Sequence, residues 1–152
     1  MLTLTRTTSE SPDFRALVRQ LDQYLAHVNG SEHAFYDQFN RIENLNHVVL
    51  AYHDAEPVGC GAFRELAGRA VEIKRMFVRP DQRQRGVAQA VLRELEEWAA
   101  ELGFAEYQLE TSRRMLDAVR LYERSGYAPI PNYGPYVGVE DSVCMHKLAR
   151  PA

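Results

Sequence analysis

The sequence predicts an α/β fold in which a mixed sheet is flanked by helices. Segments that alternate apolar and polar residues take turns along the chain with segments whose apolar residues fall three and four apart. Three of the alternating segments follow one another between residues 47 and 78 with only turn formers between them, which predicts an antiparallel meander. The clearest helical stretch comes directly after that meander.

Leu2 to Arg6 alternates as a half-buried strand does. From Pro12, the residues Phe14, Leu17, Val18, Leu21, Tyr24 and Leu25 share one face of a helix ending near Asn29-Gly30. A second, shorter helix is expected from Glu32 to about Asn40. His47 to Tyr52 reads as a strand, Asp54 to Pro57 as a turn, and Val58 to Leu66 as the returning strand. Ala67-Gly68-Arg69 turns the chain again. Ala70 to Val78 forms the third strand of the meander and stops at Arg79-Pro80, because proline cannot donate to a sheet ladder.

Val87, Val91, Leu95, Trp98 and Leu102 mark the next helix, which Gly103 terminates. Ala105 to Thr111 reads as a strand, Met115 to Ser125 as a helix stopped by Gly126, and Tyr127 to Ile130 as a short strand. Ser142 to Leu148 is the last strand. Before it lies Pro131-Asn132-Tyr133-Gly134-Pro135-Tyr136, a loop of turn formers and aromatics. The order β, α, α, β, β, β, α, β, α, β, β carries no internal repeat.

With 152 residues, 45% hydrophobic and 26% charged, the chain suits a single domain over residues 1–152. A formal net charge of -3 gives no sign of a nucleic-acid-binding protein. The N-terminus lacks the apolar run of a secretory signal and no stretch is long enough to span a bilayer, so a cytoplasmic protein without a membrane partner is expected. Cys60 and Cys144 sit in apolar surroundings and should pack as small hydrophobes. The five histidines form no metal-type cluster, and no metal is expected.

The chemistry concentrates between residues 71 and 88. Lys74, Arg75, Arg79, Arg83 and Arg85 stand against one carboxylate, Asp81, just before a helix start. A helix start leaves its first N–H groups unpaired and carries partial positive charge, so it suits phosphate oxygens. Gly86 would let the backbone approach such an anion closely. A solvated basic turn is the plainer reading of the same residues.

Arg83-Gln84-Arg85-Gly86-Val87-Ala88 resembles the Q/R-x-x-G-x-G/A loop of the GNAT superfamily of N-acyltransferases, in the same strand-to-helix context. Leu121-Tyr122-Glu123-Arg124-Ser125-Gly126-Tyr127 is similar to that family's LYxxxGF signature. The resemblance implies a mixed, mostly antiparallel central sheet of six to seven strands with helices on both faces, opened by a splayed strand into an acyl-CoA cleft. It further implies acetyl-CoA as cosubstrate, with its diphosphate on the amides around Arg83, Gln84, Arg85, Gly86, Val87 and Ala88. Its pantetheine arm would run along Met76, Phe77 and Val78. The implied reaction is acetyl transfer to a primary amine of a small molecule or peptide, and a homodimer is compatible with it. A CoA-binding sensor or structural subunit without turnover is the alternative.

Tyr122 resembles the family's general acid, and a phenol stays protonated at neutral pH. An aliphatic ammonium must lose a proton before it attacks, so a base is required. Glu72 resembles the glutamate base of the family's histone-modifying members, and a carboxylate between apolar neighbours is open to a desolvation-raised pKa. Glu110 is the rival carboxylate, and the choice between them stays open at this point. Tyr133 and Tyr136 are expected to overhang the acceptor. The family often carries an asparagine seven residues before the tyrosine, where this chain has Met115.

Overall fold

The computed structural model describes residues 1–29 and 44–150 of the chain. The helix expected from Glu32 to about Asn40 lies outside the described residues. The elements are β1 (Leu2–Thr7), α1 (Pro12–Asn29), β2 (His47–His53), β3 (Glu56–Leu66), β4 (Ala70–Val78), α2 (Val87–Glu101), β5 (Glu106–Ser112), α3 (Leu116–Arg124), β6 (Ala128–Ile130) and β7 (Ser142–Leu148). Short 3₁₀ turns occupy Pro80–Gln82 and Gly134–Tyr136.

All seven strands join one sheet in the order β1-β2-β3-β4-β5-β7-β6. Only the β4–β5 pair is parallel, the others antiparallel. The β2–β3 turn is tighter than the sequence reading. Pairing already begins at His53 and Glu56, and the two residues between them, Asp54 and Ala55, both take positive φ, at 53° and 84°. Two left-handed residues match the right-handed twist of the flanking strands.

Alternation along β2 divides the core. Val48 and Leu50 face α1 with Phe14, Leu17, Val18 and Leu21, whereas Val49 and Ala51 face α2 with Val91 and Leu95. The α2 side comes unusually close to the sheet because Gly61 of β3 has no side chain. A Cβ there would lie 2.8 Å from Leu95 and 2.9 Å from Val91.

Two irregularities open the sheet at its middle. Across the β3–β4 ladder Cys60 pairs with Phe77 and Ala62 with Lys74, so β4 holds one extra residue. Arg75 occupies the bulge in left-handed conformation, φ 59°, and its carbonyl accepts a hydrogen bond from the Cys60 thiol at 3.4 Å. On its other side β4 pairs with β5 only from Ala70–Glu106 to Ile73–Leu109. Beyond Ile73 the two strands diverge, and residues 74 to 78 of β4 have no partner on β5.

Candidate active site

The divergence of β4 from β5 makes a cleft of about 110 Å³. Its lining includes Leu21 and Leu25 of α1 and Ala118 and Tyr122 of α3. Those two helices pack on opposite faces of the sheet. A single cleft touches both because the sheet is open at that point.

At one end of β4 the chain passes through Pro80–Gln82 into α2. Gln84 and Gly86 take left-handed φ values of 63° and 79°. Among the described residues, none of the amides from Gln84 to Gln89 donates to a backbone carbonyl; the helix ladder starts with Ala90 to Gly86, at 3.0 Å. The first turn of α2 holds no acidic residue, and a Cβ on Gly86 would meet nothing within 4 Å. Unpaired amides at a helix start, facing open space and free of a competing carboxylate, fit a diphosphate.

The five cations counted in the sequence do not gather at this loop. Lys74 and Arg75 line the cleft. Arg79 reaches Asp81 at 3.2 Å and Glu56 at 3.6 Å. Arg83 donates from Nε to the Val78 carbonyl at 3.1 Å and lies over the rings of Tyr24 and Phe77. Arg85 is exposed. The candidate anion site is therefore made chiefly by backbone, because the bulge and the 3₁₀ turn send the cationic side chains in different directions. Of the three residues expected along the pantetheine arm, Met76 lines the cleft, while Phe77 and Val78 are buried in the cores on opposite faces.

The cleft itself is built around charged and polar side chains. Glu72, 1% exposed, accepts from Arg64 Nε at 2.7 Å and from the Tyr133 hydroxyl at 2.6 Å. The Arg64 pairing follows from the β3–β4 register, in which the two residues stand directly opposite. Lys74 Nζ lies 3.9 Å from the same carboxylate. Tyr136 is buried and packs edge-on against Tyr133, ring centroids 5.8 Å apart.

Glu110 projects from β5 into the same cleft. Its carboxylate accepts a hydrogen bond from Ser142 of β7 at 2.6 Å. Burial pushes its pKa up to about 7, helped by the nearby charge of Glu72 and opposed by Ser142 and Lys74. Tyr122 is buried, and desolvation together with Glu110 raises its phenol further above the ordinary value, so it holds its proton at neutral pH. Among the described residues its hydroxyl donates to no protein group, although it stands on the cleft wall. Cys60 is pushed by burial up to about 12, and burial also raises Cys144. Both thiols are free and buried, as the sequence suggested.

Thus Glu72, Glu110, Tyr122 and Tyr136 meet in one cleft, with Tyr133 joined to it through Glu72. Sequence reading missed Arg64 and Ser142, and it counted Arg75 with the anion-binding cations rather than with the cleft it lines. Arg64 was within reach, since counting outward from the Ala67-Gly68-Arg69 turn pairs it with Glu72. Ser142 was not, because its contact depends on β7 inserting between β5 and β6. Among the described residues no group of three or more His, Cys, Asp or Glu is arranged to hold a metal. No helix among them is long and apolar enough to cross a membrane.

Comparison with known proteins agrees with this architecture. A Klebsiella pneumoniae protein assigned as an acyl-CoA N-acyltransferase superposes with a TM-score of 0.84 at 26% identity over 99% of each chain. PaiA N-acetyltransferase of Thermoplasma acidophilum, solved with coenzyme A, shares the fold with a TM-score of 0.69 at 15% identity, over 97% of this chain and 99% of its own. An IAA acetyltransferase of Azospirillum brasilense is 29% identical over 133 residues, 86% of this chain and 87% of its own. The model of the acetyltransferase (GNAT) family matches residues 12–127. The chain belongs to the GNAT family of acetyltransferases.

Proposed function

We propose that the protein transfers an acetyl group from acetyl-CoA to a primary amine by direct attack, with Glu110 as base and Tyr122 as acid. The observation that supports this best is the shared cleft, in which a carboxyl of pKa about 7 and a protonated phenol stand on one opening of the sheet. Acetyl-CoA, the acetyl thioester of the coenzyme A found in the Thermoplasma structure, supplies an activated thioester carbonyl when bound.

The amides of Gln84 to Gln89 hold the diphosphate, and the unpartnered edge of β4 beyond Ile73 offers backbone groups to the pantetheine arm. Free amides of that edge also suit the oxyanion of an acyl transfer. Glu110, ionised in about half of the molecules near pH 7, takes a proton from the acceptor ammonium. The freed nitrogen forms its bond to the carbonyl carbon as the carbon–sulfur bond breaks, and the second proton it sheds in becoming an amide passes to solvent, as does the one held by Glu110. Tyr122 gives its proton to the departing sulfur and regains one from solvent. Glu72, held by Arg64 and Tyr133, supplies fixed negative charge that raises Glu110 and attracts a cationic acceptor.

Transfer through an acyl-cysteine is disfavoured on this reading, because both thiols are buried and held protonated. The chain is proposed to work as a single domain in the cytoplasm on a small-molecule amine or peptide, with a homodimer compatible and neither nucleic acid nor membrane as partner. The test is release of free CoA from acetyl-CoA across a panel of primary amines at pH 8. Turnover with at least one amine supports the reading. CoA binding without turnover on any of them replaces it with a non-catalytic CoA sensor.

A further inference from the structure

Arg75 is the most unusual side chain of the cleft. It sits in the β4 bulge with left-handed φ, a conformation that disfavours any residue with a Cβ. Its side chain is only 2% exposed, and one nitrogen, Nη1, donates to Asp22 of α1 at 2.7 Å. Nε and Nη2 are buried and, among the described residues, have no hydrogen-bond partner. A buried guanidinium with unmet donors is costly, and a strained backbone that presents one points to a ligand.

The geometry of the unmet donors says which kind. Nε and Nη2 share one edge of the planar group, where their N–H bonds run parallel and match the two oxygens of a carboxylate. Asp22 occupies the other side of the guanidinium and leaves this edge unengaged.

We infer that Arg75 binds a carboxylate of the acceptor, so that the enzyme acetylates a free amino acid rather than a simple amine. The inference rests on the acetyl-transfer reading above. The acceptor, rather than the acyl donor, is favoured by the side of the sheet. Arg75 contacts α1, whereas Tyr122 and the start of α2 belong to the other face. Arg75 and Glu110 line the same cleft, so the carboxylate of an amino acid meets a cation while its ammonium meets the base.

The test compares amino acids with their decarboxylated counterparts: phenylalanine with phenethylamine, tryptophan with tryptamine, and lysine with cadaverine. In the wild type, kcat/KM for the amino acid of at least one pair exceeds that for its amine by about tenfold or more. In Arg75→Lys and Arg75→Met that ratio falls toward one, chiefly through KM. The change in ratio is the readout, so differences in intrinsic amine reactivity cancel. A binding arm does not need turnover: the preferred amino acid raises the thermal midpoint of the CoA-bound wild type and not of Arg75→Met.

A wild type that prefers the amine in every pair, or variants that keep the ratio, would overturn the inference. Malonyl-CoA identifies the other source of a carboxylate. If the variants change only the preference between malonyl-CoA and acetyl-CoA, the acceptor assignment is wrong. Acetylation of amines without any carboxylate preference removes this inference alone, while failure to acetylate any amine, with CoA bound, removes the acetyl-transfer reading itself.

Discussion

The loop at residues 84–89 and the carboxylate cluster around Glu72 and Glu110 lie along the same open seam of the sheet, yet they are made of different materials. The loop is backbone: amides with no backbone carbonyl to receive them among the described residues, set by two left-handed residues, Gln84 and Gly86. The cluster is side chains, buried or half-buried, with Glu72 held by Arg64 and Tyr133 and Glu110 held by Ser142. A backbone site suits a group common to every acyl donor, since it reads charge and shape without distinguishing side chains. A side-chain site can be tuned for one acceptor and one proton transfer. Changes at the two ends should therefore separate into effects on turnover and effects on CoA affinity.

The largest effect is expected at the cluster. Glu110→Gln removes the proposed base and should lower kcat/KM by about 10²–10⁴-fold, the usual span for a general base. Wild-type kcat/KM should rise with pH through about 7 as Glu110 ionises, and that limb should vanish in the variant. Steady-state rates from pH 5.5 to 9 measure both. Tyr122→Phe is expected to lower kcat by about 10²-fold while calorimetry finds CoA binding little altered.

At the loop the pattern reverses. Gly86→Val should weaken CoA binding by about tenfold, since a β-branched residue resists φ 79° and its side chain fills the space a phosphate needs. Calorimetric affinity for CoA checks it; unchanged affinity would remove the contrast between the two ends.

The remaining effect is on stability rather than on rate or affinity. The folded Glu110 carboxyl has pKa about 7 against 4.5 for the ordinary group. Below pH 4.5 both folded and unfolded chains carry the proton and the group costs nothing. As pH rises toward 7 the unfolded chain ionises first, so the wild type loses stability, with the full cost present above 7. Glu110→Gln should then be the more stable protein at pH 8, by up to about 3 kcal/mol, and lose that advantage near pH 4. Denaturant unfolding at the two pH values measures the difference.

The same division explains what the sequence disclosed. Among the described residues the strand and helix order, the stop at Arg79-Pro80 and the Gly86 helix start were legible, because each follows from residues within a few positions of one another. The meander turns also fixed Arg64 opposite Glu72, though only for a reader who counts outward from Gly68. The cation count around Arg79 misled, because side-chain direction at a bulge is a tertiary fact: Lys74 and Arg75 went to the cleft while Arg83 folded back on Tyr24 and Phe77. Two carboxylates were legible as rivals. What separates them, Ser142 on Glu110 against Arg64 and Tyr133 on Glu72, depends on β7 entering the sheet beside β5 and on the loop that carries Tyr133.

The claim on which the rest depends is that the amides from Gln84 to Gln89 receive the diphosphate of CoA. Amide-resolved NMR during titration of the full chain with CoA tests it most directly. Saturable shifts are expected at those six amides, diminished when pantetheine, which lacks the diphosphate, replaces CoA. Binding of CoA that leaves those amides unmoved and shifts another surface instead would contradict it.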